Sequence, residues 1–213
     1  MKKLSLLALA LTWALAALAQ TPEEIVSRME AEMEKHEQEG VIMTVDTKIP
    51  ILGTFSIKTH TLGNKTYMIT KALGKELTGW SDGETSWTYN PQTNEITVEK
   101  DKHLNDGDAQ MLEGVADGYD LSVKKETATE WTIQCKKSKS NTDKDAPKTM
   151  EIVIAKDSYY PVSLSAKLSG VSVKMYDFGF GVDEQTVTFD INKFPGATVV
   201  EKADTEEEKG KKK

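Results

Sequence analysis

The residues able to do covalent or acid–base chemistry are few and scattered. His36, His60 and His103 are the three imidazoles, and none stands at a spacing that would pair it with a second metal ligand. Cys135 is the single cysteine, so an intramolecular disulfide is impossible. Its setting, Thr132-Ile133-Gln134-Cys135, reads as a strand holding a small buried hydrophobe rather than an activated nucleophile. There is no glycine-rich phosphate loop and no G-x-S-x-G elbow. Gly53-Thr54-Phe55 and Gly179-Phe180-Gly181 read as bulges or turns. Asp and Glu number 34, against 27 Lys and Arg, and abundance of this kind describes an acidic surface, not a site. No catalytic residue, metal or cofactor is expected, and a hydrolase with dispersed catalytic residues is the enzymatic rival.

What the sequence does offer is apolar contact chemistry. Met29, Met33, Met43, Met68, Met111, Met150 and Met175 supply flexible, polarizable side chains suited to variable contacts. Trp80, Trp87, Tyr67, Tyr89 and Phe55 fall on early strands, where they could line one inner face or simply form a core.

Period and punctuation indicate the elements that carry these side chains. Thr21, Pro22 and Glu24 form a capping box with proline at the first helical position. Ile25, Met29 and Met33 then make an apolar stripe, with an end expected at Gly40. Beyond Gly40 the period becomes two: Val41, Met43 and Val45, then Phe55 and Ile57, Tyr67 and Ile69, Trp87 and Tyr89, Ile96 and Val98. Turn signals at Leu62-Gly63-Asn64, Ser81-Asp82-Gly83 and Asn90-Pro91 separate the runs. Alternation resumes over residues 119–135, 150–154, 161–168, 171–180 and 186–190, giving about ten short antiparallel strands. Residues 108–118, with Met111, Leu112 and Val115 at helical spacing, predict a short helix interrupting the sheet, and residues 136–148 an exposed polar loop.

Residues 1–19 read as a signal peptide: Lys2 and Lys3, an uncharged apolar stretch over 4–18, and Ala17-Leu18-Ala19 before a cut ahead of Gln20. Loss of the two lysines takes the net charge from −7 to −9, and no cysteine near the cut offers a lipidation site. Residues 20–201 are read as one domain and 202–213 as a charged, disordered tail. An acidic exported monomer that binds no nucleic acid, adheres little to anionic lipid and diffuses through the periplasm is the expectation.

The segment Ser81-Asp82-Gly83-Glu84-Thr85-Ser86-Trp87-Thr88-Tyr89-Asn90-Pro91-Gln92-Thr93-Asn94-Glu95 resembles the periplasmic outer-membrane lipoprotein carrier family. Its Ser-Asp-Gly turn and Trp-x-Tyr-Asn-Pro strand end carry the likeness. Ile25-Val26-Ser27-Arg28-Met29 resembles the family's first helix, and Val187-Thr188-Phe189-Asp190-Ile191-Asn192-Lys193-Phe194-Pro195-Gly196-Ala197 its closing strand. The arginine that the family carries after its second strand is missing from Phe55-Ser56-Ile57-Lys58-Thr59-His60, and Arg28 is the only arginine of the chain.

The resemblance implies a mostly β, unclosed antiparallel barrel with an N-terminal helix and a helical lid over a hydrophobic cavity. It implies a carrier that takes acylated lipoproteins from an inner-membrane exporter and hands them to an outer-membrane acceptor. Phe55, Ile57, Tyr67, Ile69, Trp87, Tyr89, Ile96 and Val98 from strands, with Met29, Met33, Met111 and Leu112 from helices, are the expected acyl-chain contacts. Trp87→Ala is accordingly expected to weaken acyl binding more than folding. An envelope sensor or hydrophobic-ligand module on the same fold is the alternative.

Overall fold

The structure, a computed structural model, describes residues 20–100 and 114–202. Helix α1 (Pro22–Lys35) is followed by a 3-10 turn (Glu37–Glu39) and strands β1 (Val41–Ile49), β2 (Gly53–Leu62), β3 (Lys65–Ala72), β4 (Lys75–Ser81), β5 (Thr85–Asn90) and β6 (Glu95–Lys100). Strands β7 (Tyr119–Glu126), β8 (Glu130–Lys137), β9 (Thr149–Ala155), β10 (Pro161–Leu168) and β11 (Val171–Phe180) come next. Helix α2 (Glu184–Val187), a 3-10 turn (Ile191–Lys193) and β12 (Thr198–Glu201) end the described chain. All strands join one 12-stranded sheet in the order β12-β6-β5-β4-β3-β2-β1-β11-β10-β9-β8-β7, and its edges do not meet. The expected mostly-β, unclosed architecture is what the chain adopts.

Several elements differ from the sequence reading. Strand β4 carries too little apolar alternation to stand out, and its entry turn is Leu73-Gly74, where both residues have positive φ. Residues 186–190 are not a strand, because the Asp183 carboxylate accepts from Gln185 N and caps α2 instead. The closing strand lies later, and β12 pairs parallel with β6. Helix α1 stops at Lys35 rather than Gly40, since His36 caps it and its ring stacks on Phe180 at 4.4 Å. Of the interrupting segment read over 108–118, residues 114–118 form turns, with Val115 and Ala116 against the core. Met111 and Leu112, and with them the expected lid helix, lie outside the described residues, as do the signal segment 1–19 and the tail from 203.

Helix α1 forms as its caps dictate: Thr21 Oγ1 accepts from Glu24 N, and the Glu24 carboxylate accepts from Thr21 N. Its stripe of Ile25, Val26 and Met29 is buried against Ile133 and Cys135 of β8, Met150, Ile152 and Ile154 of β9, and Leu164 of β10. The lone arginine anchors this docking, with Arg28 Nη1 donating to Tyr159 Oη at 3.1 Å and its guanidinium over that ring. Among the described residues no helix is long and apolar enough to cross a membrane.

Two predictions arise from this frame. Cys135 is fully buried, and desolvation pushes its thiol up to about 11. It should resist a maleimide in the native protein and label fully in denaturant, and rapid native labelling would show that β8 opens. Gly40 adopts φ 78, and a Cβ there would sit 2.6 Å from Thr61 O and 2.9 Å from Val182 Cβ. Gly40→Ala should therefore destabilise the fold by about 2 kcal/mol or more, as read from a urea unfolding curve.

Candidate functional site

Cross-strand pairing sorts the sheet's side chains into two faces, because directly paired residues point the same way. On the face that carries α1, Met175 pairs with Val45, Val45 with Ile57, Ile57 with Thr70, and Thr70 with Leu77. Phe55 pairs with Thr47, and Met68 with Gly79, where the missing side chain leaves the room that Met68 fills. Val45, Phe55, Ile57, Met68 and Leu77 are all only half-buried. The core under α1, and every described side chain packed against it, comes from α1, from residues 115–178 and not from β1 to β6. One face of the sheet is thus a packed core on one half and a band of part-exposed apolar side chains on the other.

Polarity changes along that second half. Toward the β2–β3 turn the same face carries Thr59, Thr61, Thr66, Ser81 and Ser86, all buried. Thr59 Oγ1 and Thr61 Oγ1 are shielded from solvent and have no hydrogen-bond partner, so the polar end of this face is a buried cluster of small hydroxyl residues. The part-exposed apolar band can be covered by an alkyl chain. Among the described residues no group of His, Cys, Asp and Glu could hold a metal ion.

The opposite face holds the rest of the expected contacts. Tyr67 pairs with His60 and Trp80, Ile69 with Lys58, Trp87 with Trp80 and Val98, and Tyr89 with Ile96. Here the C-terminal segment lies over them. Trp87 stacks on Phe189 at 4.9 Å, Tyr89 meets Phe194 at 4.5 Å, and Trp80 touches both phenyl rings. Trp80 Nε1 donates to Thr186 O at 3.2 Å, and Asn94 Nδ2 donates to Gly196 O at 3.0 Å. Burial and the Lys58 charge push the His60 imidazole below its ordinary pKa.

The twelve expected contacts are therefore not one constellation. Phe55 and Ile57 share the α1 face. Met29 is fully buried in the core and Met33 packs on it. Tyr67, Ile69, Trp87, Tyr89, Ile96 and Val98 point the other way, where Trp87 and Tyr89 pack against the segment that follows α2. Leu77, on a strand the alternation did not reveal, Val45 and Met68 were not among the twelve. Counting back from the hairpin turns was the signal that could have found them.

No protein-family model matches the chain, and no curated protein sequence matches it significantly. Solved structures do match. Lipoprotein LppX of Mycobacterium tuberculosis is 14% identical with a TM-score of 0.50, covering 75% of this chain and 96% of that one. An uncharacterized conserved protein of Thermus thermophilus is 15% identical with a TM-score of 0.46, covering 83% and 98%. A LolA superfamily protein of Nitrosomonas europaea is 10% identical with a TM-score of 0.34, covering 81% and 99%. The likeness to LppX is one of fold alone.

Proposed function

We propose that the chain is an exported envelope protein that shields the acyl chains of lipoproteins and carries them through the periplasm from the inner to the outer membrane. The observation that carries this reading is the band of Val45, Phe55, Ile57, Met68 and Leu77, apolar and half-buried beside the α1 core without belonging to it. Five apolar side chains sharing one face and standing outside the α1 core form a strip that an alkyl chain can cover, each CH₂ withdrawn from water contributing about 0.8 kcal/mol. Acyl chains supply the missing partner. The expected contacts of this site are the α1-face residues, Met33 at its border included. The apparent signal segment and the fold shared with LppX, itself a lipoprotein, support an envelope location.

The test mixes the purified protein with membranes bearing labelled lipoproteins and an inner-membrane exporter. Lipoprotein is expected in the soluble fraction as a stoichiometric complex. Lipoprotein that stays with the membrane would remove the carrier reading. Binding of deacylated lipoprotein or peptide instead would favour a sensor module.

A further inference from the structure

Antiparallel order brings a set of hairpin tips to one end of the sheet. The β1–β2 turn (50–52) sits between the β3–β4 turn (73–74) and the β10–β11 turn (169–170), each two strands from the next, roughly 10 Å. Such tips ask for small polar residues or glycine. These three tips instead present Ile51 fully exposed (105%), Leu52 at 55% and Leu73 at 74%, with Leu168 at the base of the third turn at 36%, while the β5–β6 turn (91–94) and the β8–β9 loop (138–148) at the same end are polar. Ile51 has φ 71 and Leu73 φ 50. A β-branched residue in that region is a steric outlier, and Leu73-Gly74 occupies a turn for which Asn-Gly is the favoured pair. Both aliphatic residues therefore cost the chain twice, in backbone strain and in exposed carbon, and folding gains nothing from either.

Lysines surround them, so this end departs from the acidic average that gave the chain little reason to adhere to anionic lipid. Lys71 and Lys75 flank the Leu73 turn, Lys48 precedes the Ile51 turn, and Lys167 precedes Leu168. Glu76 is the near counter-charge, 3.2 Å from Lys71. Protruding aliphatic side chains ringed by flexible cations match the boundary between acyl chains and anionic headgroups. A protein partner would more naturally meet a groove or a flat patch than separate projecting points.

We propose that this end of the sheet is a membrane-docking surface, on which Ile51, Leu52 and Leu73 insert into an anionic bilayer while the flanking lysines contact its headgroups. This inference stands apart from the cargo reading, because it rests on the tips and not on the α1 face. It does place Phe55, next to the Ile51 turn, at the edge of the bilayer.

The test uses flotation of the purified chain starting at Gln20, the form expected after export, with vesicles of equal parts phosphatidylethanolamine and phosphatidylglycerol. The wild type should float at low salt, less as salt rises, and poorly with phosphatidylcholine alone. Ile51→Asn combined with Leu73→Asn should cut the bound fraction about tenfold or more. Its thermal midpoint should be unchanged or higher, since asparagine suits both turns. Lys71→Gln with Lys75→Gln, which leaves the turns alone, should weaken binding to the anionic vesicles only. A wild type that stays off the vesicles, a double asparagine variant that floats as well as the wild type, or tips that mediate self-association instead would each overturn the proposal. Failure to take up lipoprotein would leave flotation untouched, so the two readings fail separately.

Discussion

Trp80→Ala is expected to lower the free energy of unfolding by about 3–5 kcal/mol and to loosen the C-terminal segment from the sheet. Trp80 is nearly buried, and it holds that segment three ways: against Phe189, against Phe194, and through the indole hydrogen bond to Thr186 O. Alanine leaves a cavity under two phenyl rings and an unpaired carbonyl. Urea unfolding by circular dichroism reads the first effect, and trypsin cleavage after Lys193 in native buffer reads the second. A variant as stable and as resistant as the wild type would mean that the segment is held by β12 alone. Trp87→Ala should follow the same course, because Trp87 stacks on Phe189. Its damage to lipoprotein uptake should not exceed what its loss of stability explains, the reverse of the sequence-based expectation.

Ile57→Asp should have the opposite profile. Ile57 lies between Val45 and Thr70 on the α1 face, half-buried and outside the core, so its replacement should cost the fold only about 1 kcal/mol. A carboxylate in the centre of the apolar band must be desolvated by any alkyl chain laid across it, and uptake of acylated lipoprotein should fall at least tenfold. The measurement is the amount of labelled lipoprotein recovered as soluble complex, set beside the unfolding curve of the same variant. Uptake equal to the wild type would place the acyl chains elsewhere. Comparing this variant with Trp80→Ala separates the face proposed to bind from the face that is clasped.

Most strands were legible, β4 and β12 excepted, and strand facing was not. Period two in Phe55-Ser56-Ile57 or Tyr67-Met68-Ile69 marks a strand, but it does not say which of two covered faces the apolar members occupy. With one face buried and the other wet, all of them would share a side. Here α1 covers part of one face and the C-terminal segment part of the other, so both are apolar. The phase was nevertheless available: the two-residue turn Gly63-Asn64 pairs Leu62 with Lys65, and five steps back along each strand sets Ile57 beside Thr70 and not beside Ile69. The sequence likeness was carried by a structural clasp. The Trp-x-Tyr-Asn-Pro stretch and the Phe-x-x-x-x-Phe-Pro-Gly stretch are packing partners, Trp87 on Phe189 and Tyr89 on Phe194. Such a pair identifies an architecture and need not touch cargo.

The seating of α1 has a kinetic meaning. The helix is the first described element to be synthesised, yet the residues that receive it lie between Val115 and Phe178. Closing so long an intervening loop is slow, and until most of the polypeptide exists the helix has nowhere to rest. A nascent chain organised this way stays open while it is being made. That delay is an asset to any polypeptide that must be threaded lengthwise through a narrow pore before it assumes its shape.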